Sequence, residues 1–191
     1  ANENAQWERS IKQDIGMELG FLKNNMFLVT LDFFKEKRDK ILLSRQSIPD
    51  WFGVGAKQQN LGKTETWGYE AELKYTGGSY QGLSHWVKLG VNFSDNKIVE
   101  RDEPYLKPEY SKVAGKRIDQ IFGNVSTGYI DDVDERAAVP RYGGGMMGLG
   151  DVVYVDFNGD GNIDVLDEVP LGYSGTYPLF FYTLSGGFMY K

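Results

Sequence analysis

Apolar residues fall on every second position through segments longer than ordinary globular strands, and this constrains the chain more than any other feature. From Ile11 the odd positions read Ile11, Gln13, Ile15, Met17, Leu19 and Phe21, and the even ones Lys12, Asp14, Gly16, Glu18 and Gly20. Side chains of an extended chain alternate between two faces, so this segment is a strand with one apolar face. Leu22, Lys23, Asn24 and Asn25 signal a tight turn. The return strand sets Phe27, Val29, Leu31 and Phe33 against Thr30 and Asp32, although Met26, Leu28 and Phe34 share the second face. The clearest alternation is Trp67, Tyr69, Ala71, Leu73 and Tyr75 against Gly68, Glu70, Glu72 and Lys74. After a turn at Thr76, Gly77, Gly78 and Ser79 comes a stripe of Leu83, His85, Val87, Leu89, Val91 and Phe93. A last strand carries Phe180, Tyr182, Leu184, Gly186, Phe188 and Tyr190.

These segments reach or exceed the ~9–11 residues that cross a bilayer as tilted strands, against ~5–6 for globular strands. Their connections are unequal. Those at Asn24 and Gly77 are tight, while those from Lys35 to Thr66 and from Asp95 to Pro178 are long. The expected fold class is therefore all-β, with antiparallel amphipathic hairpins forming part of a large transmembrane β-barrel with long extracellular loops. A soluble β-sandwich module, burying the same stripes against a second sheet, is the alternative that periodicity leaves open. The charge run at 35–40 reads as a solvated strand end.

Composition narrows the function classes. The net charge of -6, with no basic cluster, argues against a nucleic-acid partner. There is no cysteine, and His85 is the single histidine, so disulfides, thiol chemistry and His-rich zinc sites are excluded. The 24 glycines, 12 tyrosines and 11 phenylalanines fit a β-rich chain with many turns. No apolar run is long enough for a membrane-spanning helix, which leaves a β-barrel untouched. Opening on Ala1, Asn2 and Glu3 and closing on a strand pattern, the chain is expected to be cut at both ends.

One loop carries candidate ligands. Asp156, Asn158, Asp160 and Asp164 stand at positions one, three, five and nine of a twelve-residue calcium-loop pattern at 156–167. Asn162 at position seven would offer its backbone carbonyl, and Asp167 closes the run. Gly161 occupies the sharp turn at position six, and Ile163 would anchor the loop on apolar surface. The closing residue is Asp rather than the usual Glu, and Val152, Val153, Tyr154 and Val155 before the loop read as a strand rather than an EF-hand helix. Pro170, Gly172 and Gly175 oppose a helix after it. Structural calcium is the expected ligand, and a cluster of Asx turns that binds no metal is the alternative; with calcium, the sandwich alternative would be a soluble calcium-binding β-module for adhesion or carbohydrate binding.

The order of segments resembles the SusC/RagA-like TonB-dependent outer-membrane nutrient transporters. Gly150, Asp151 and Val152 through Val155 running into the calcium-type loop, then Val169, Pro170, Leu171 and Gly172, look like a hallmark of that family. Gly115, Ile118, Phe122 and Gly123 resemble another of its segments. So do Gly62, Glu65, Gly68 and Glu70 before a barrel strand, and Trp7, Glu8, Ile15, Gly16 and Phe21 before those. The resemblance covers nearly all of 1–191. It implies about five strands from the C-terminal half of a plugged barrel of about 22 strands, with 95–178 as a long extracellular loop region. It further implies an outer-membrane location, contact with outer-membrane lipid and import of a glycan or peptide nutrient. The implied partners are a surface-exposed SusD-like lipoprotein and the TonB complex, the latter through parts absent from this chain. The implied role is transport, not catalysis.

Other residues carry lesser expectations. Trp7, Trp67, Tyr69 and Tyr75 suit an interfacial aromatic girdle, or core positions in the sandwich alternative. Trp51 could pack its loop or stack on a sugar. His85 is in phase with Leu83 and Val87 and reads as an interface residue, not a base. Glu70, Glu72, Lys74 and Lys88 would form cross-strand ion pairs on the polar face. Asp131, Asp132, Asp134 and Glu135 read as a solvated acidic turn. Gly143, Gly144 and Gly145 lack the context of a phosphate loop, and no acidic pair suggests the cleft of a glycosidase.

Overall fold

The computed structural model describes residues 5–47, 57–79, 81–174 and 178–190, and Trp51 lies outside them. Four long strands come first: β1 (Arg9–Phe21), β2 (Phe27–Ser44), β3 (Gln58–Gly78) and β4 (Leu83–Glu100). Six short ones follow: β5 (Gln120–Gly123), β6 (Ser126–Tyr129), β7 (Arg141–Tyr142), β8 (Val152–Tyr154), β9 (Asn162–Ile163) and β10 (Val169–Tyr173). The last, β11 (Phe180–Tyr190), returns beside β4. The long strands form one antiparallel sheet in the order β1-β2-β3-β4-β11, open at β1 and β11. The short strands pair as β5 with β10, β6 with β8, and β7 with β9.

Register turns the alternation of single strands into a two-faced sheet. On one face, Leu19, Val29, Leu73, Leu89 and Leu184 form one row, and Met17, Leu31, Ala71, Val91 and Tyr182 the next. Aromatic-rich rows flank these aliphatic ones. On the turn side lie Phe21, Phe27, Tyr75 and Val87; on the loop side lie Ile15, Phe33, Tyr69, Phe93 and Phe180. Phe27 and Tyr75 lie 5.0 Å apart between ring centroids, and Tyr69 stacks on Phe93 at 5.4 Å. At about 3.4 Å per residue the stripe from Trp67 to Tyr75 is about 27 Å long. A barrel tilt of about 40° reduces its height to about 20 Å, close to the apolar band of an outer-membrane barrel.

No second sheet covers this face among the described residues. Ile15 remains 73% exposed and Leu184 74%, which overturns the sandwich alternative: the stripe is not buried against a second sheet. The opposite face carries Asp32, Glu70 and Asn92 in one row and Thr30, Glu72 and Thr183 in another. Only part of the expected ion pairing appears there. Lys88 pairs with Glu72 at 2.5 Å, but Glu70 accepts the Asn92 amide at 2.7 Å, and Lys74 has no ion pair among the described residues. Gly68 is required where it stands: a Cβ would lie 2.2 Å from the Phe93 carbonyl and 2.5 Å from the Phe34 ring.

The strands run further than periodicity suggested. The charge run at 35–40 is not a strand end, because β2 continues to Ser44, past a bulge between Arg38 and Ile41 where Lys40 has φ 59°. Likewise β3 begins at Gln58, not near Trp67, and residues 95–100 of the expected loop region continue β4. Beyond the apolar band charged and polar residues reach both faces and apolar ones no longer alternate regularly, so the pattern fades while the ladder persists. Cross-strand ion pairs take its place: Arg9 with Asp39, Lys35 and Lys37 with Glu65, and Lys63 with Glu100. The Leu22 turn fits its sequence, with Asn24 and Asn25 in the left-handed region that Asn tolerates.

Candidate metal loop and its surroundings

The loop region rises from the end of the sheet that carries the long connections, and its first segment is stitched to the wall. The Ile98 N–H donates to the Lys116 carbonyl (2.8 Å) and the Gly115 N–H to the Ile98 carbonyl (2.7 Å), continuing the β4 edge beyond β11. The Ile118 N–H donates to Asn96 Oδ1 at 2.8 Å. Arg117 fixes this join. Its buried guanidinium donates to Asp119 (2.8 Å) and Asp95 (3.1 Å) and lies 4.7 Å over the Tyr173 ring. The hydrogen bond between Arg117 and Asp119 raises the pKa of the first and lowers that of the second.

Two further carboxylates hold loop backbone. Glu103 accepts the N–H groups of Val113 (2.8 Å) and Ala114 (3.1 Å) and the Lys107 ammonium (3.0 Å). Burial pushes its pKa up, but these donors outweigh it and the net shift is downward. Asp102 accepts the N–H groups of Gln46 (2.6 Å) and Ser47 (2.9 Å), tying the β2 end to the loop region.

The 156–167 loop is built on the same device. Gly159 and Gly161 have φ of 76° and 82°, the left-handed region that favours glycine, and both turn their N–H groups onto Asp156 (2.6 and 2.8 Å). The Gly161 N–H is the main cause of a lowered Asp156 pKa. Asp160 accepts the Asn162 N–H (2.8 Å) and the Asn158 amide (3.1 Å), and Asp164 accepts the Leu166 N–H (2.7 Å). Asp167 is fully buried and accepts from Phe157 (2.8 Å), Asn158 (3.3 Å) and Asp164 (2.9 Å). Ile163 is buried beneath the loop, as its position required. Outside it, Tyr110 donates to the Leu166 carbonyl (2.8 Å), and its ring lies 5.5 Å from that of Phe157. Burial raises the Tyr110 pKa, and the charges of Asp167, Asp156, Asp160 and Asp164 raise it further.

All six expected ligand residues therefore lie on one short loop. Their oxygens suit a hard cation, yet they are turned toward N–H groups, and no cluster of three acidic or imidazole side chains is brought together among the described residues. Asp167 closes the loop from inside. Asp131, Asp132 and Asp134 are exposed. One feature has no single sequence signal: a cavity of about 460 Å³ beside the loop, lined by Pro104, Leu106, Val113, Phe122, Val165 and Leu166. Its lining comes from separated stretches, and no periodic pattern joins them.

Comparison with known proteins gives this architecture a family. A family model described as TonB dependent receptor-like, beta-barrel matches residues 1–190. TonB-dependent receptor P3 of Formosa agariphila is 32% identical over 97 residues, covering 51% of this chain and 9% of the relative. TonB-dependent receptor P26 of the same organism is 26% identical over 186 residues, covering 90% of this chain and 18% of the relative. The RagAB peptide transporter superposes with a TM-score of 0.61 at 16% identity, over 97% of this chain and 20% of that one. The RagAB peptide importer in its open-open state gives 0.65 at 15%, over 97% and 19%. At such identity these structures show likeness of fold. The chain spans no more than about a fifth of the relatives it matches. It is a five-stranded section of barrel wall with its loop region, and it belongs to the TonB-dependent receptor-like β-barrel family of outer-membrane proteins.

Proposed function

We propose that the receptor containing this barrel section imports a nutrient, a glycan or a peptide, across the outer membrane. A surface lipoprotein would cap the loop face, and TonB would supply energy through parts outside this chain. The protein would move its cargo without chemical change. The observation that carries this is the two-faced sheet: an apolar face bordered by aromatic rows, a polar face behind it, and one elaborate loop region at a single end. The fold likeness to a peptide transporter supports the peptide arm. The test is uptake of labelled oligosaccharides and oligopeptides by cells with and without the intact receptor. Uptake of one class should vanish on deletion. Unchanged uptake of both would refute the proposal.

The loop at 156–167 would hold calcium as a structural ion. Asp156, Asn158, Asp160 and Asp164 would supply side-chain oxygens, Asn162 its carbonyl, and Asp167 would close the set. Bound calcium would supply charge neutralisation, not catalysis, and would keep the loop in one shape for the cargo or the capping partner.

A further inference from the structure

We propose that Lys35, Lys37 and Lys97, on the lipid-facing side of the sheet just above its loop-side aromatic row, bind phosphate groups of an anionic membrane lipid.

Register places these lysines together. Lys35 follows Phe33 on the same face of β2, and Lys37 follows Lys35. Lys97 stands on the same face of β4, directly across from Glu65 of β3, and Glu65 is itself paired with Lys37. Glu65 accepts from Lys35 at 3.5 Å and from Lys37 at 3.4 Å. Lys97 is exposed and has no ion pair among the described residues. Three lysines around one glutamate leave two positive charges in excess. Of the flanking acidic groups, Asp39 is paired with Arg9, while Asp95 and Asp119 share the single buried Arg117, which offsets one of those charges and leaves one in excess.

Height selects the ligand. Lys35 lies two residues, and Lys37 and Lys97 four, beyond the row of Phe33, Tyr69 and Phe93. At about 3.4 Å per residue and a tilt of about 40°, they stand about 5 and about 10 Å above that row. The headgroup layer adds about 5–8 Å to each side of the hydrocarbon core. Lysine stems can drop their ammonium groups into that layer while the methylenes lie on the aromatic rings. A solvated strand end would need no such placement. The other border of the band, at His85 and Phe188, has no comparable lysine cluster among the described residues.

The test uses the full receptor purified in detergent. Native mass spectrometry would compare binding of phosphatidylglycerol and phosphatidylcholine. The parent should prefer phosphatidylglycerol, and the triple variant Lys35→Gln/Lys37→Gln/Lys97→Gln should lose that preference at least tenfold, since each lysine near an anionic surface contributes about fivefold. Lys12→Gln, on the opposite face, should bind like the parent. Should the triple variant fail to fold, Lys97→Gln alone should weaken phosphatidylglycerol binding severalfold. An unchanged preference in the folded variant overturns the proposal. So does inorganic phosphate displacing the lipid at equal concentration, which marks a free-anion site. Loss of a co-purifying protein with lipid binding intact overturns it too, and assigns the cluster to a protein partner.

Discussion

At the scale of the residue, buried carboxylates that hold backbone N–H groups organise the loop region. Asp167 accepts three of them from a fully buried position. Removing it orphans those donors at about 1–3 kcal/mol each. Asp167→Ala should accelerate hydrogen exchange at Phe157, Asn158 and Asp164 at least tenfold while the strand amides stay protected; unchanged exchange would show that the loop is held by other contacts. The calcium proposal separates Asp160 from Asp151, whose carboxylate caps the Gly148 turn at 2.7 Å. In a calorimetric calcium titration of the full receptor, Asp160→Ala should weaken binding at least tenfold and Asp151→Ala should not. Equal effects would remove the site. The spacing of oxygens at 156–167 was legible because the candidate ligands lie on one segment. The inward role of Asp167 was not, because it depends on which N–H groups the folded loop turns toward it. Arg117 was not legible: it falls between the resembling positions Gly115 and Ile118, and its partners Asp95, Asp119 and Tyr173 meet only through folding.

At the scale of the element, the strands were legible where one face meets lipid and illegible where both meet water. The apolar stripe announces β3 from Trp67 to Tyr75, but residues 58–66 are held by ladder bonds and ion pairs that leave no alternation. The loop segments are joined to the strands by acid–amide clamps, and this gives them a pH dependence. The folded pKa of Glu103 is lowered, so its clamp contributes fully above the ordinary unfolded value of about 4.3 and is lost as pH falls through the lower folded value. Exchange at Val113 and Ala114, corrected for intrinsic rates, should stay flat from neutrality to about pH 5 and rise below about pH 4. Glu103→Gln should flatten that rise. A rise that begins near neutrality would point to another group.

At the scale of the whole molecule, the apolar face decides where the protein can live. Rows from five strands coincide so that aliphatic residues lie between aromatic ones, the kind of surface that lipid covers in an outer-membrane barrel. Leu73→Arg, at the middle of the band, should destabilise the full receptor in vesicles by about 2–4 kcal/mol. Glu72→Gln, on the polar face, should cost under about 1 kcal/mol. Equal costs in urea unfolding would mean that the face is covered by protein.

The length of β3 has a consequence beyond the membrane. From Trp67 back to Gln58 the strand continues for nine residues, about 30 Å at ~3.4 Å each, or roughly 20–25 Å of height at barrel tilt. The outer end of β3 thus stands well above the lipid, higher than the loop segment stitched to Asn96 and Ile98. A lipid-anchored partner of the proposed kind, capping that end, would have to climb the same distance. A relaxed linker spans about 5–6 Å times the square root of its length, so the climb takes about 20 residues of tether. Shortening that tether to about five, which reach at most about 18 Å even when fully extended, would uncouple the partner from the loops without altering a single contact between them.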